Sequence, residues 1–158
     1  MIVYHSVTVL IPNYNDEEYI EKSIRSALEQ DYEGSLNVCV VDDGSTDGSL
    51  DLLRVLVKNP ASDTYKGLNV TINKDSFGDD RTITLIENKN SGPSGARNVG
   101  IGYTIAKTDI YAMLDSDDEM YQNKVSECVK QMKDDFVGAV YGDYDVFHTS
   151  TGNMIREF

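Results

Sequence analysis

Short apolar runs alternate with stretches of helical period along most of the chain. The runs "SVTVLIP", "LNVCVV", "TITLIEN" and "IYAML" have the length of buried strands, and each is followed by a polar turn and a helical pattern. Strands that alternate with helices form β-α-β units, in which neighbouring strands run parallel. The pattern therefore predicts an α/β fold, a three-layer sandwich with a mostly parallel sheet.

The helical stretches have recognisable starts. In "NDEEYIEKSIRSALEQ", Asn15 and Glu18 have the spacing of a capping pair, and Asp47 is placed to cap the later stretch "SLDLLRVLVK". The first helix also has an apolar face, made of Ile20, Ile24, Ala27 and Leu28. Towards the end of the chain, "VGAVYGDYDVFHT" predicts one or two closing strands.

One segment, residues 58–81, is polar and irregular and interrupts the alternation. We interpret it as a loop insertion with a short hairpin around "GLNVTIN". A chain of 158 residues with 40% hydrophobic content suffices for one globular core. The sequence therefore predicts a single domain over residues 1–158.

Charge and cysteine content narrow the class of protein. The chain has 27 acidic residues and 14 Lys and Arg, which gives a net charge of -13. This charge would repel the phosphate backbone of a nucleic acid, so we expect neither DNA nor RNA as a partner. Cys39 lies in an apolar run and Cys128 in a helical pattern, as is typical of reduced thiols. The start lacks a basic leader, and no apolar run is long enough to span a bilayer. We expect a cytoplasmic protein, or one peripheral to the membrane within a longer parent.

Four polar clusters follow the predicted strands. They are "PNYN" after the first, "DDGSTD" after the second, "NKNSGPSGARN" after the third and "DSDDE" after the fourth. In an open parallel sheet, ligands bind beyond the carboxyl ends of the strands, so the four clusters should line one rim. The third cluster leads into a helix whose free N–H groups could face an anion.

The acids of "DSDDE" point to a divalent cation. Carboxylate oxygens in a D-x-D spacing suit Mn²⁺ or Mg²⁺, which takes one or two carboxylates and completes its shell with water and phosphate oxygens. Such an ion would also let an acidic protein hold an anionic diphosphate. Spacing excludes a calcium loop, and "GARNVGIG" matches neither the P-loop nor the G-x-G-x-x-G fingerprint. A receiver-type domain with a phosphorylated Asp stays open, although the sequence does not single out its lysine.

Together these motifs resemble the inverting family 2 glycosyltransferases of the GT-A fold. The resemblance rests on "VTVLIPNYNDEEYIEKSIRSALEQDY", "NVCVVDDGSTDGS", "NSGPSGARNVGI" and "YAMLDSDD", and it runs from about Val7 to Tyr144. It implies a nucleotide-sugar donor, most often a UDP-sugar, a Mn²⁺ or Mg²⁺ cofactor, and transfer of the sugar with inversion. It also implies an acceptor hydroxyl on a glycan or a lipid-linked glycan.

The resemblance assigns roles to eight residues and adds one substitute. Pro12 and Tyr14 would border the nucleoside, and Asp43, with Asp42 beside it, would contact the uracil. By the same matching, Asn90 and Arg97 would contact base or phosphate. Asp115 and Asp117 would meet the ribose and the metal, with Asp118 a substitute ligand. Simpler interpretations exist for some of them: Tyr14 as rim packing, and Arg97 as a helix residue paired with an acid.

The general base that such a transfer requires has no match in this chain. Asp143 and Asp145, in "YGDYDVF", fit a closing strand better. We therefore expect the chain to be the N-terminal, donor-binding part of a longer enzyme. The alternative is a module that binds a nucleotide sugar without turnover. We also expect apolar surface on the acceptor side to be covered by a second copy, giving a homodimer.

Overall fold

The computed structural model describes residues 4–57, 61–73, 80–132, 136–148, 151–152 and 154–157. By the packing of its backbone the chain divides into two compact units, Met1–Val125 and Ser126–Phe158. The single domain expected for residues 1–158 stays a prediction. Within the described residues, no helix is both long and apolar enough to cross a membrane.

The first unit is built on a six-stranded sheet. Its strands are β1 (Val7–Asn13), β2 (Leu36–Asp42), β3 (Ala61–Tyr65), β4 (Leu68–Asn73), β5 (Arg81–Glu87) and β6 (Ile110–Met113). Its helices are α1 (Ile20–Leu28), α2 (Ser49–Leu56) and α3 (Gly92–Thr104), which continues as a 3-10 turn over Ile105–Lys107. A further helix, α4, begins at Lys124 and ends at Gln131.

The strand order is β3-β4-β5-β2-β1-β6, and the four strands β5, β2, β1 and β6 run parallel. The central strands β1 and β2 are apolar on both faces because helices cover both sides of the sheet. Helix α3 packs on the face that carries Leu10, Cys39 and Val41. Connections of this type are almost always right-handed. Because β1-α1-β2 and β5-α3-β6 run in opposite directions along the sheet, this rule places α1 on the other face. The three layers and the mostly parallel sheet are as predicted.

The segment 58–81 corrects one prediction. Strands β3 and β4 form an antiparallel hairpin whose β4 pairs with β5, so most of the described segment extends the sheet. The turn residues Lys66 and Gly67 have φ of 50° and 79°, the left-handed conformation that suits a two-residue hairpin turn. Residues 68, 70 and 72 alternate inward, but β3 is a polar edge strand without a hydrophobic signal. Residues 58–60 and 74–79 of the expected loop lie outside the described residues.

The predicted capping pair is also wrong. Helix α1 begins at Ile20 after the uncapped Tyr19, and Asn15 has a φ of 59°. The Asn15 Oδ1 instead accepts from the Thr46 N–H at 2.7 Å and from the Asp47 N–H at 3.3 Å. These bonds hold the turn after β1 against the turn after β2. Asp47 does serve the start of α2, since its Oδ1 accepts the Ser49 N–H at 3.0 Å, although Gly48 occupies the cap position itself.

The second unit contains a small antiparallel sheet of its own. Strand β7 (Asp145–Phe147) pairs with β8 (Met154–Glu157), with a register shift between Val146 and Phe147. Of the predicted closing strands in residues 137–149, only Asp145–Phe147 is a strand among the residues described there. Strand β8 has no strong period in the sequence and was not predicted.

Candidate functional site

A cleft lies where the chain reverses its direction across the sheet. From β1 the connections run to β2 and then to β5 on one side, whereas β6 joins β1 on the other side. Such a switch point leaves a crevice at the carboxyl ends of the two strands. The pairing of β1 with β6 ends at Leu10 and Met113. Pro12 has no N–H with which to continue this pairing, so the two strands separate there.

The cleft has a volume of about 610 Å³. Seven of the eight residues that the sequence assigns to the site line it: Pro12, Tyr14, Asp43, Asn90, Arg97, Asp115 and Asp117. They come from the ends of four strands that lie far apart in the chain and, for Arg97, from helix α3, which follows one of them. The predicted common rim is therefore present, whereas the roles of the individual residues stay predictions.

Asp42 is the predicted site residue that does not line the cleft. It ends β2 and is only 1% exposed. Its Oδ1 accepts from the Asn13 Nδ2 at 2.8 Å and from the Ser45 Oγ at 2.6 Å, and its Oδ2 accepts the Ser45 N–H at 3.1 Å. Asp42 thus fastens the end of β1 to the turn after β2, behind the wall of the cleft.

Asp43 is equally buried but belongs to the wall of the cleft. Its carboxylate accepts the Ser91 N–H at 2.8 and 2.9 Å and the Asn88 Nδ2 at 2.6 Å. These bonds join the end of β2 to the turn that starts α3. The next residue, Gly44, has a φ of 80°, and a Cβ there would lie 3.2 Å from the Asn90 backbone nitrogen, so this close approach favours glycine.

The acidic loop, residues 114–123 between β6 and α4, forms the opposite wall. The Asp115 carboxylate pairs with the Arg97 guanidinium, and the Ser116 hydroxyl donates to the Asp16 carboxylate. Arg97 thus has the acid partner that the simpler interpretation expected, at a position that lines the cleft. Partial burial and the charges of Asp117 and Asp115 raise the pKa of Asp118 above its usual range.

The donor set at this wall fits a hard divalent cation. Asp115 and Asp117 present carboxylate oxygens to the cleft, and among the described residues no side chain hydrogen-bonds to Asp117. No group of three or more His, Cys, Asp and Glu side chains placed to hold a metal occurs in the described part of the chain. Mn²⁺ and Mg²⁺ take only one or two carboxylates when substrate phosphates supply further oxygens. A cation at this place would also offset the mutual repulsion of the three acids.

The wall that faces the acidic loop carries groups suited to an anion. Asn90, Gly92 and Pro93 line the cleft at the start of α3, a helix of 13 residues. Unpaired N–H groups of a helix N-terminus attract negative charge, and the Arg97 guanidinium lies one turn further along. No lysine is among the described residues that line the cleft, which leaves the receiver-type interpretation without its cation.

Several supporting residues were missed in the sequence. Asn13, Asn88 and Ser91 hold the two buried carboxylates, and Asp16 holds the acidic loop through Ser116. All four lie inside or beside the polar clusters that the sequence singled out. The clusters showed where polar groups gather, but only the folded chain shows which of them face the cleft and which face each other. His5 and His148 do not line it.

Comparisons with known proteins identify the family. A family model described as "Glycosyl transferase family 2" matches residues 8–157. An uncharacterized glycosyltransferase of Haemophilus influenzae is 29% identical over 150 residues, which cover 95% of this chain and 51% of that protein. The chain thus spans about half the length of this relative.

Solved structures of similar fold agree. The mannosyltransferase PcManGT from Pyrobaculum calidifontis, in complex with GDP-Man and Mn²⁺, is 27% identical with a TM-score of 0.67, over 86% of this chain and 34% of that one. S. aureus TarS 1-349, in complex with UDP-GlcNAc, is 24% identical with a TM-score of 0.54, over 77% of this chain and 29% of that one. These neighbours confirm the predicted GT-A architecture. Because the family model matches nearly the whole length of this chain, the chain belongs to glycosyl transferase family 2.

Proposed function

We propose that this chain is the donor-binding part of a glycosyltransferase that uses a UDP-sugar. The observation that carries the proposal is the cleft at the switch point between β1 and β6, lined by residues from four strand ends and from α3. Its two walls are opposite in character. Arg97 and the start of α3 suit a diphosphate, and Asp115 and Asp117 suit the cation that would accompany it.

The individual roles follow from this arrangement. Pro12, Tyr14 and Asp43 border the end of the cleft that would receive the nucleoside, with Tyr14 47% exposed and free to stack on a base. Asn90 and Arg97 would meet base and phosphate oxygens. Asp115 and Asp117 would hold the metal, with one of them reaching the ribose.

Relatives support this choice of ligand. The two neighbouring structures hold UDP-GlcNAc in one case and GDP-Man with Mn²⁺ in the other. When bound, the cation would stabilise the charge on the departing diphosphate. Between the two nucleotides we choose UDP, as the family resemblance favours.

The reaction we propose is a single displacement with inversion. The acceptor oxygen forms a bond to the anomeric carbon, the bond from that carbon to the diphosphate oxygen breaks, and the acceptor proton passes to a general base. The acceptor would be a glycan or a lipid-linked glycan. Of the acids that line the cleft, Asp16, Asp43 and Asp115 already accept hydrogen bonds, and we assign none of them as the base.

Calorimetry of UDP binding, with and without Mn²⁺, tests the proposal. We expect binding that requires Mn²⁺ and prefers UDP to GDP, CDP and dTDP, and that Asp117→Ala weakens at least tenfold. Asp51→Ala is the matched control, since Asp51 is an acid with an 89% exposed side chain on α2, outside the cleft. Equal loss in both variants, or wild-type protein that binds no nucleotide, would contradict the proposal.

A binding module without turnover is the second candidate. Three of the four acids that line the cleft already accept hydrogen bonds, and none of them is assigned as the general base. This observation favours a module without turnover. The two candidates differ in one product. Slow, Mn²⁺-dependent hydrolysis of a UDP-sugar that Asp117→Ala abolishes indicates a transferase. Tight binding with no release of UDP indicates a module.

A further inference from the structure

Helix α1 carries a row of polar side chains on the side that faces the acidic loop. Ser23, Ser26 and Gln30 are spaced by three and four residues, so they lie on one side of the helix and just beyond its end. Ser23 is fully buried and Gln30 is 3% exposed. The same face otherwise carries the apolar residues Ile20, Ile24 and Ala27. Burial of polar side chains there costs free energy unless each of them is hydrogen-bonded.

The compensating bonds run to the backbone of the acidic loop. The Ser23 Oγ donates to the Asp115 carbonyl at 3.2 Å, and the Ser26 Oγ accepts the Met120 N–H at 3.0 Å. These two contacts bracket Asp117 and Asp118. The Ser26 hydroxyl itself donates to the Ser23 carbonyl at 2.8 Å, which orients its lone pairs towards the loop.

Gln30 holds the far end of the loop with both ends of its amide. Its Nε2 donates to the Tyr121 carbonyl at 2.9 Å and to the Ser26 carbonyl at 3.0 Å, and its Oε1 accepts the Val125 N–H at 2.8 Å. The Val125 N–H belongs to the first turn of α4, where helical N–H groups lack helical partners. One side chain thus fastens the loop and the start of the following helix to α1.

The acids have few contacts of their own that could fix them. The Asp115 side chain is 57% exposed, and its carboxylate is held by Arg97, a residue that also lines the cleft. Asp117 has no hydrogen-bond donor among the described side chains. The positions of the two carboxylates therefore depend mainly on the backbone of the loop. Ser23, Ser26 and Gln30 hold that backbone, together with the Ser116–Asp16 bond and the bond from the Leu114 N–H to the Leu10 carbonyl.

We propose that Ser26 and Gln30, with Ser23, are positioning residues that hold the acidic loop so that Asp115 and Asp117 can share one cation with a diphosphate. The inference rests on the proposed function for its ligand, and on the observed contacts for its geometry. Metal ligands tolerate little displacement, and partners that orient such ligands typically change metal affinity about 10- to 100-fold when they are removed.

The test compares Ser26→Ala and Gln30→Met with wild-type protein. Two quantities are measured: the exchange rates of the Met120 and Val125 amide hydrogens, and the Mn²⁺ concentration that gives half-maximal UDP binding. Ser26→Thr keeps a hydroxyl at the same place and should restore both. Thr8→Val is the control, since Thr8 is 1% exposed and bonds to Thr108 at 2.7 Å near the start of β1, away from the cleft.

We expect faster exchange at Met120 in Ser26→Ala and at Val125 in Gln30→Met, with the half-maximal Mn²⁺ concentration raised about tenfold or more in each. Thr8→Val should lower stability without changing that concentration. If Ser26 and Gln30 had a merely structural role, Ser26→Ala, Gln30→Met and Thr8→Val would have the same half-maximal Mn²⁺ concentration. This result would overturn the inference. If Gln30→Met does not fold, Ser26→Ala and its Thr counterpart decide alone.

The two proposals fail in different ways. Wild-type protein that binds no UDP with Mn²⁺ would contradict the proposed function, and the exchange rates would still decide whether α1 holds the loop. Unchanged exchange at Met120 and Val125 in their variants would overturn the inference even if wild-type protein binds UDP.

Discussion

Asp43 shows how a single buried carboxylate organises one wall of the cleft. It is 3% exposed, and the Asn88 amide, the Ser91 N–H and the Ser91 hydroxyl all donate to it. Its own N–H donates to the Asn13 carbonyl at 2.8 Å. A charged group at this depth is stable only because several donors compensate for its lost hydration. The same donors fix the turn that begins α3.

Asp43→Asn replaces one acceptor oxygen by an NH₂ group that faces donors. Hydrogen bonds to a charged group contribute about 1.5–3 kcal/mol, so we expect a loss of roughly that size in the free energy of unfolding, measured in urea. UDP binding should weaken as well. Asp51→Asn, on an exposed side chain, should change neither quantity. Wild-type stability in Asp43→Asn would show that the network does not depend on charge.

At the scale of elements, the contact of α3 with the sheet decides how close the cleft walls lie. Ala96, Gly100 and Thr104 are the buried residues of this helix, at a spacing of four. A Cβ at Gly100 would lie 2.3 Å from the Leu10 Cδ1 and 3.1 Å from the Val41 Cγ2. The helix can approach β1 and β2 this closely only because position 100 has no side chain.

Gly100→Ala should therefore destabilise the fold. Overpacking of this kind costs typically about 1–3 kcal/mol, which exceeds the gain of about 1 kcal/mol that alanine brings in helix propensity. The control is Gly102→Ala in the same helix, where a Cβ would meet the movable Tyr65 hydroxyl group at 2.5 Å. We expect it to be neutral or stabilising. Urea unfolding of the two variants gives the comparison, and equal effects would contradict the packing argument.

Glu87 connects three elements at the carboxyl end of β5. Its carboxylate accepts from Arg54 of α2 at 2.9 and 3.0 Å and from Asn69 of β4 at 3.3 Å. The bond from Arg54 is the main cause that holds the pKa of Glu87 below its ordinary value of 4.5, against the opposing effect of burial. The hairpin that the sequence suggested only in part is thus tied to α2 through a residue of β5.

This lowered pKa gives a pH dependence with a definite sign. Because the folded state favours the ionised form of Glu87, the stabilisation is complete above the unfolded pKa and is lost as the pH falls through the folded pKa. Glu87→Gln should cost about 1 kcal/mol at pH 7, a modest value because the Arg54 side chain is 50% exposed. The difference between variant and wild type should shrink as the pH is lowered below about 4. Urea midpoints measured over this range check it, and a pH-independent difference would contradict it.

At the scale of the whole molecule, acids dominate the charge. The chain has 27 acidic and 14 basic residues for a net charge of -13, and the acidic loop places Asp115 and Asp117 at one wall of the cleft. An excess of one sign destabilises a compact state through self-repulsion. Under the proposed function, a divalent cation would offset part of this repulsion where the diphosphate binds.

Salt should therefore stabilise this protein in the absence of ligand. The screening length falls from about 30 Å at 0.01 M to about 10 Å at 0.1 M ionic strength, so repulsion among distant acids should weaken over that range. We expect the melting temperature to rise with NaCl, and to rise equally with KCl because screening does not depend on the cation. A melting temperature that falls, or that differs between the two salts, would contradict this explanation.

The homodimer expected on the acceptor side stays a prediction. In the second unit, the Tyr141 side chain is 95% exposed and that of Ile155 is 62% exposed. Light scattering measures the mass in solution directly. A mass that corresponds to two chains would support the expectation, and a monomer at all concentrations would contradict it.

The sequence by itself determined the parallel core of the fold and the rim on which the site lies. Four short apolar runs, each followed by a polar turn and most of them by a helical pattern, predict parallel strands, and the polar clusters that follow them should then meet at one edge. The resemblance of the motifs to family 2 glycosyltransferases named seven residues that do line the cleft. These features depend on local order along the chain, which is why they could be predicted.

Only the tertiary structure decided how the remaining polar residues are used. Asp42 and Asp43 are neighbours in sequence, yet strand alternation turns one behind the wall and leaves the other in it. Asn15 holds Thr46 rather than its own helix, and β3 is a strand because β4 is there to pair with it. Ser26 and Gln30 look like ordinary helix residues until the acidic loop lies against them. The partners of Asn15, Ser26 and Gln30 lie far away in the chain, and local propensity carries no information about them.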